Sequence, residues 1–278
     1  MKLKVISFNI RCCDDKDGNA IAERAPRLAK VTLPLDADII GLQEYRPAWE
    51  KEIDAIYGDK YEMFFKYRNQ TRDIEAAPVL WRKDKFECLK TGYFWLSDTP
   101  EVESFGWDEI NCYRICTYVI LKEKESGKVF TFMSTHFGFG DNCQVASAKL
   151  IEEYAKKISD HPTFVVGDFN MKPDSIGYQT MTQAFVHSVA ATSQRVQEGQ
   201  VHILNFPAAN QQFDEDGGTD HMIGSEGFHQ LANLIGNKAG NRNQSHTNTQ
   251  GHVHTADHTV RREDGDNTQK PIAVFPVY

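Results

Sequence analysis

The sequence predicts an α+β fold in which packed, mixed sheets are flanked by helices. Short strand-like segments and amphipathic helical segments both recur, and few follow the strict strand–helix–strand alternation of a Rossmann-type sheet. The 278 residues are 40% hydrophobic and 25% charged, which is ordinary for a globular protein and sufficient for a large core. We therefore expect one domain over residues 1–278.

The N-terminal half contains most of the predicted strands. Apolar positions alternate through residues 3–10, as in a strand, whereas those of residues 22–33 recur at helical spacing. Pro47 suits the first turn of a helix because its φ is already helical. In chain order the prediction is strand 3–10, helix 22–33, strand 36–44, a helix from Pro47, and strands near 61–67, 77–82 and 86–96.

The rest of the chain begins with a hairpin and ends in polar sequence. The letters KEKESGK favour a turn at Gly127 between two strands. In chain order the prediction is strand 115–122, strand 128–136, helix 143–158, strand 163–170 and helix 175–185. Residues 236–270 are rich in Asn, Gln, His, Thr and Gly and poor in aliphatic side chains, so we expect a polar, irregular segment there.

Charge and cysteine content limit the partners of the chain. The net charge is −8 and the pI is about 5.7, whereas proteins that grip long nucleic acid usually carry a basic surface. A local basic patch would be hidden in this total. No apolar run reaches about 18 residues, so no membrane-spanning helix is expected. The spacing of the six cysteines fits no zinc ribbon, which favours reduced thiols and a cytoplasmic location, unless a signal peptide was removed.

Polar side chains recur where apolar strands end, a position that fixes the backbone and projects the side chain into a crevice. Five residues share this position: Asn9, Glu44, His136, Asp168 and Asn170. Magnesium prefers hard oxygen ligands and keeps several of its waters, so scattered carboxylates and an amide suit it. Each residue alone would be an ordinary turn residue, but the recurrence indicates a metal site.

The motifs around these residues resemble the endonuclease/exonuclease/phosphatase family. The matching segments, in the order of that family, are SFNIR at 7–11, GLQE at 41–44, STHF at 134–137, GDFN at 167–170, TDHMI at 219–223 and ADHTV at 256–260. FWLSDTPE at 94–101 and GWDEINCYRICTY at 106–118 resemble a bacterial branch of these metal-dependent hydrolases. The resemblance implies a four-layer α/β/β/α sandwich of two mixed, mostly antiparallel sheets with helices outside.

The resemblance also implies a metal site and a nucleophile site. Glu44 would be the main Mg²⁺ ligand, with Mn²⁺ as an alternative ion, and Asn9 and Asp257 would assist it. Asp168 and Asn170 would orient the attacking water and hold the phosphoryl oxygens.

Proton transfer and substrate binding are assigned to a second group of residues by the same resemblance. His258 would act as a base or as an electrostatic partner of the phosphate, with Asp220 fixing its ring. His136 would donate a hydrogen bond to the phosphate or protonate the leaving group. Arg114 would add a charge-assisted contact to a substrate oxygen.

Two segments depart from the family pattern. After His136 this branch often has an Asp-His pair, whereas this chain has Gly138 and Phe139. The C-terminal motif has Ala256 in place of serine and precedes polar sequence rather than an apolar strand. The apolar residues 272–278 are an alternative final strand, which would make 259–271 an insertion and leave Asp257 and His258 in a solvated loop.

These observations favour a magnesium-dependent hydrolase of phosphodiesters or phosphomonoesters. The acidic balance favours a small phosphorylated substrate, or one linked to a sugar or lipid, over long duplex DNA. Three alternatives stay open: a nuclease, a binding protein of the same fold without turnover, and a metal carrier that uses the His-rich residues 246–258. The oligomeric state is not indicated by the sequence.

Overall fold

A computed structural model describes residues 3–71, 74–108 and 110–188 with their side chains, and the backbone of residues 201–206 and 272–274. The helices are α1 (Ile21–Thr32), α2 (Pro47–Tyr57), α3 (Asp141–Ile158) and α4 (Ile176–Ala184). The strands are β1 (Leu3–Asn9), β2 (Ile39–Gln43), β3 (Tyr61–Phe64), β4 (Val79–Arg82), β5 (Phe86–Trp95), β6 (Ile115–Glu123), β7 (Val129–His136), β8 (Thr163–Asp168), β9 (Val186–His187), β10 (Val201–Phe206) and β11 (Ile272–Val274). Every element predicted before residue 186 is therefore confirmed.

The strands form two sheets. The first has the order β10-β1-β2-β4-β3, and the second has the order β5-β6-β7-β8-β11-β9. Among the described strand pairings, five are parallel and four are antiparallel. Both sheets therefore mix parallel and antiparallel pairs, as the resemblance implied. Helices α1 and α3 act as crossovers between β1 and β2 and between β7 and β8, and such crossovers make the joined strands parallel.

Three apolar clusters give the layers of the fold. Because successive strand residues point to opposite faces, Ile39 and Val166 face the neighbouring sheet while Ile40 and Val165 face the helices. One cluster lies between the sheets, another packs α1 and α2 on the first sheet, and the third packs α3 and α4 on the second. The predicted α+β sandwich, with helices outside two facing sheets, is confirmed.

The two sheets approach each other closely near Gly41. A Cβ at this position would lie 2.3 Å from the Cγ2 atom of Val166 and 3.1 Å from the hydroxyl oxygen of Ser134. The Ser134 hydroxyl also donates a hydrogen bond to the carbonyl of Leu42, at 3.2 Å. Strand β2 is therefore held against β7 and β8, and the carboxyl ends of all three strands meet.

The helices of the described parts lack the combination of length and apolar character that a membrane span requires.

Candidate active site

Sharp turns follow β1 and β8. In each turn, the side chain of the last strand residue accepts a hydrogen bond from the backbone. The Arg11 N–H donates to Oδ1 of Asn9 at 3.0 Å, and the Asn170 N–H donates to Oδ1 of Asp168 at 3.1 Å. Arg11 and Asn170 have positive φ values of 62° and 49°. Asn and Asp favour such turns because their side chains bond the backbone two residues on. The turns therefore fix Asn9 and Asp168 at the crevice.

Glu44 follows β2 directly and also has a left-handed backbone, with φ of 61°. Both of its carboxylate oxygens accept hydrogen bonds. Oε1 accepts from Nδ2 of Asn9 at 2.9 Å, and Oε2 accepts from the N–H of Cys12 at 2.9 Å. The guanidinium of Arg11 lies 3.8 Å from Oε2. A non-glycine residue with this backbone is held by its surroundings, and these contacts provide the restraint.

Asn9 joins the carboxylates of the two sheets. Its Nδ2 group donates to Glu44 and also to Oδ2 of Asp168, at 3.0 Å. Glu44 belongs to the first sheet and Asp168 to the second, so one amide spans the interface between the sheets. The two carboxylates are therefore brought to opposite sides of a single donor group.

Asp168 and His136 stand in register on β8 and β7, with Nε2 of His136 3.9 Å from Oδ2 of Asp168. Their side chains are 19% and 13% exposed. Burial raises the pKa of Asp168 and the charge of Glu44 adds to this, whereas hydrogen bonds from Asn9 and Asn170 oppose it.

His136 is neutral near neutral pH. Burial lowers its pKa well below the usual value, and the positive charges of Arg114 and Arg68 lower it further. Its Nδ1 atom is buried and has no hydrogen-bond partner within the described ranges. A neutral imidazole still carries one N–H, so His136 can donate a hydrogen bond without being an acid.

Arg114 is a buried cation held by a buried carboxylate. Its Nη2 and Nε atoms donate to Oδ2 of Asp108 at 2.9 and 3.3 Å, and the two side chains are 3% and 0% exposed. Within the part of the chain that the structure describes, Nη1 of Arg114 is buried without a partner. The guanidinium thus has a fixed position and a donor available for a further ligand.

Asn170 connects the ends of β7 and β8. Its side-chain amide donates to the carbonyl of Phe137 at 2.9 Å, and its own carbonyl accepts from the side-chain amide of Gln144 on α3. These bonds orient the Asn170 side chain and tie α3 to the crevice.

The departure at Gly138 and Phe139 has a steric reason. A Cβ at position 138 would lie 2.4 Å from Oδ2 of Asp108 and 2.7 Å from Sγ of Cys143. Phe139 is 55% exposed, and its ring centre lies 5.9 Å from the guanidinium carbon of Arg114. This chain thus has a buried ion pair and an exposed ring where the resemblance would predict an Asp-His pair.

Comparisons with known structures identify the fold and the family. A structure of an endonuclease/exonuclease/phosphatase family protein from Bacteroides thetaiotaomicron is 30% identical with a TM-score of 0.64, and the match covers 69% of this chain and 72% of that chain. The chain belongs to the endonuclease/exonuclease/phosphatase family. A mannosyl-6-phosphatase from the same bacterium is 32% identical with a TM-score of 0.60, and the match covers 65% of this chain and 70% of that one.

Curated sequences give a shorter match. An uncharacterized protein of Acanthamoeba polyphaga mimivirus is 30% identical to this family member over 225 residues, which cover 65% of the chain but 32% of that protein. The chain therefore spans a minor part of the length of this relative. No protein-family model matches the chain.

Six of the site residues predicted from the sequence of this endonuclease/exonuclease/phosphatase family member lie close together in the structure. They are Asn9, Glu44, Arg114, His136, Asp168 and Asn170. The other three, Asp220, Asp257 and His258, lie outside the described residues, as do the segment 236–270 and its histidines. Their assigned roles stay predictions.

Sequence reasoning missed three residues that contact this group. Asp108 holds Arg114, and its only sequence signal was its place in the GWDEINCYR segment. Cys12 fixes Glu44 through its N–H, and Glu75 approaches both. One ligand atom each of Cys12, Glu44 and Glu75 lies within 4.8 Å of the others. No local pattern connects these three positions, because two helices and two strands, α1, β2, α2 and β3, separate them along the chain.

Proposed function

We propose that this protein hydrolyses a phosphate ester with the help of Mg²⁺, with Mn²⁺ as an alternative ion. One observation carries the proposal: the amide of Asn9 holds the carboxylates of Glu44 and Asp168 on facing strand ends, beside a buried arginine and a neutral histidine. Membership of the family supports it, as does the likeness to a protein described as a mannosyl-6-phosphatase.

The donor set fits a hard cation. Glu44 would hold the metal through its carboxylate, and Asp257 would assist from outside the described residues. Asn9 would contribute Oδ1, which accepts the Arg11 N–H but keeps a second lone pair. When bound, the ion would lower the pKa of a water molecule and polarise the P–O bond.

Asp168 and Asn170 would orient the attacking water. The carboxylate of Asp168 is fixed by Asn9 on one oxygen and by the Asn170 N–H on the other. Burial raises its pKa, and a carboxylate with a raised pKa accepts a proton more readily near neutral pH. His258, with Asp220 holding its ring, is the second proposed base.

His136 and Arg114 would stabilise negative charge on the phosphoryl oxygens. The lowered pKa of His136 favours a hydrogen-bond donor over an acid that protonates the leaving group. A bound phosphate would oppose this shift, since an anion favours the charged imidazole. Nη1 of Arg114 would add a charge-assisted bond. Donors fixed before the reaction are effective because they need no reorganisation as charge develops.

The charges of the described residues around the site favour a small phosphorylated substrate, or one linked to a sugar or lipid. Three arginines near the site each have a carboxylate partner: Arg11 with Asp15, Arg68 with Glu75 and Arg114 with Asp108. Long nucleic acid is bound mainly by cationic side chains along its phosphates. A balanced set of charges gives less of this attraction, so a nuclease is the second candidate.

A panel assay with Mg²⁺ tests the function and the substrate class together. It would compare p-nitrophenyl phosphate, bis-p-nitrophenyl phosphate, sugar and inositol phosphates, and single- and double-stranded DNA. Glu44→Gln and Asp168→Asn should each lower turnover of the preferred substrate by about a hundredfold to a thousandfold or more. Glu87→Gln, which changes an exposed carboxylate paired with Lys122, is the matched control.

The assay also separates the alternatives. Full activity in both site variants would contradict the proposed site. Preference for DNA would favour the nuclease. Phosphate binding without turnover of any substrate would favour a binding protein of the same fold.

A further inference from the structure

A thiol and two carboxylates converge beside the proposed magnesium ligand Glu44. Cys12 follows β1, Glu44 follows β2, and Glu75 lies in the loop between β3 and β4. One ligand atom from each lies within 4.8 Å of the other two. Cys12 is 8% exposed, and the side chains of Glu44 and Glu75 are 14% and 12% exposed, so the cluster is shielded but reachable from the crevice.

The backbone and neighbouring side chains hold this cluster in place. The Cys12 N–H donates to Oε2 of Glu44 at 2.9 Å. Arg68 pairs with Oε2 of Glu75 at 2.8 Å, and its N–H donates to the Glu75 carbonyl at 2.8 Å. The loop carrying Glu75 is also paired with the residues after Glu44, through two backbone hydrogen bonds between Tyr45 and Ala76 at 2.8 and 3.2 Å. These contacts therefore restrain the spacing of the three residues.

We propose that Cys12, Glu44 and Glu75 bind a thiophilic divalent cation such as Zn²⁺ or Cd²⁺. A thiolate selects such ions, whereas Mg²⁺ prefers oxygen ligands alone. Zinc bonds of about 2.0 to 2.3 Å place tetrahedral ligands about 3.5 Å apart, so modest side-chain rotation closes the site around the ion. Each carboxylate oxygen has two lone pairs and can keep its hydrogen bond while binding the cation.

Binding of the cation reduces the net negative charge of the cluster. The Cys12 S–H bond breaks, a metal–sulfur bond forms and the proton leaves to solvent, with no change of oxidation state. The ion then faces one thiolate and two carboxylates, while Arg68 lies on Glu75 and Arg11 lies 3.8 Å from Glu44.

The neighbouring thiol of Cys13 lies 2.8 Å from that of Cys12. The guanidinium of Arg46 donates to Cys13 Sγ at 3.5 Å, so this thiol also has a partner outside the cluster. We count one thiolate in the proposed ligand set, that of Cys12, because its ligand atom converges with those of Glu44 and Glu75. Because Glu44 is shared, the thiophilic ion would exclude Mg²⁺ and inhibit hydrolysis. Only this inhibitory consequence rests on the proposed function.

Cadmium titration of the full chain tests the site without requiring turnover, because a cadmium–thiolate bond gives a charge-transfer band in the ultraviolet. We expect one equivalent of CdCl₂ to produce the band, and Cys12→Ser to abolish it. Glu75→Gln should weaken cadmium binding roughly tenfold or more, the scale seen when partners of a metal site are removed. Cys88→Ser and Cys112→Ser, which change other partly exposed cysteines, should keep the band.

Three results would overturn the proposal. These are a band that persists in Cys12→Ser, a band lost in the Cys88 or Cys112 control, and a band of twice the expected intensity that halves in Cys13→Ser. Circular dichroism of each variant checks that folding is intact. Binding by the His-rich segment would give no thiolate band.

Inhibition by ZnSO₄, measured relative to the activity of each variant, should require roughly tenfold more zinc in Cys12→Ser. The band tests the cation site even if no substrate is turned over.

Discussion

Two arginine–aspartate pairs flank the carboxylates, one buried and one open to solvent. Arg114 and Asp108 are 3% and 0% exposed, whereas Arg11 and Asp15 are 34% and 23% exposed. The buried pair fixes a guanidinium whose Nη1 donor is available, and the open pair lies 3.8 Å from Glu44 at the rim. Breaking a buried pair is costly because it leaves an uncompensated charge, while exposed pairs contribute little. The difference indicates a rigid side at Arg114, where we propose that the phosphate binds, and an adjustable rim at Arg11.

The largest effect is expected for Asp108→Asn. The change leaves the buried guanidinium of Arg114 without its counter-charge, so the free energy of unfolding should fall by about 3 to 5 kcal/mol. Denaturant unfolding measures this loss. The double variant Asp108→Leu/Arg114→Met should be more stable than Asp108→Leu alone. If Asp108→Asn loses less than about 1 kcal/mol, the contrast between the two pairs is wrong.

A smaller loss is expected for Asn9→Ala, which removes the donor shared by Glu44 and Asp168. Leaving these acceptors without it should lower the free energy of unfolding by about 1 to 3 kcal/mol. The pKa of Asp168 should rise further, because the hydrogen bond from Asn9 currently lowers it. The acidic limb of the rate–pH profile should then move to higher pH. An unchanged profile would show that the amide does not control this carboxylate.

The pH dependence of the free energy of unfolding tests the buried side of the site, which contains His136 and Asp168. The folded state lowers the pKa of His136 below 6.5, so the unfolded state binds the proton more readily. His136 should therefore make stability fall as pH drops below 6.5, by about 1 kcal/mol per pH unit. Asp168 has a raised pKa and acts in the opposite sense, losing stability as pH rises above 3.8. Unfolding in EDTA should show a flatter slope below pH 6.5 in His136→Asn, and an identical slope would exclude this contribution.

The smallest effect is expected for Arg11→Gln at the open pair. The loss of its bonds to Asp15 should change the free energy of unfolding by less than about 1 kcal/mol, because the ions are solvated and screened by salt. The same unfolding measurement, repeated at low and high salt, provides the check. A loss comparable to that of Asp108→Asn would contradict an adjustable rim.

The sequence was most informative where chemistry and strand ends coincide. Asn9, Glu44 and Asp168 could be predicted because each stands at the end of an apolar strand or directly after it, and strand periodicity is a local signal. The parallel pairings could not be read in this way, since β11 enters the second sheet between β8 and β9 from a distant part of the chain. The partnership of Asp108 with Arg114 likewise depends on the path of a loop. The roles of Asp220, Asp257 and His258 stay predictions.

The space around Gly138 limits which residues this position accepts. A Cβ there would lie 2.4 Å from Oδ2 of Asp108 and 2.7 Å from Sγ of Cys143, and Asp108 holds Arg114. A side chain at position 138 would therefore have to displace one end of the buried ion pair. Engineering of substrate preference at this end of the crevice should keep Gly138 and vary Phe139, which is 55% exposed.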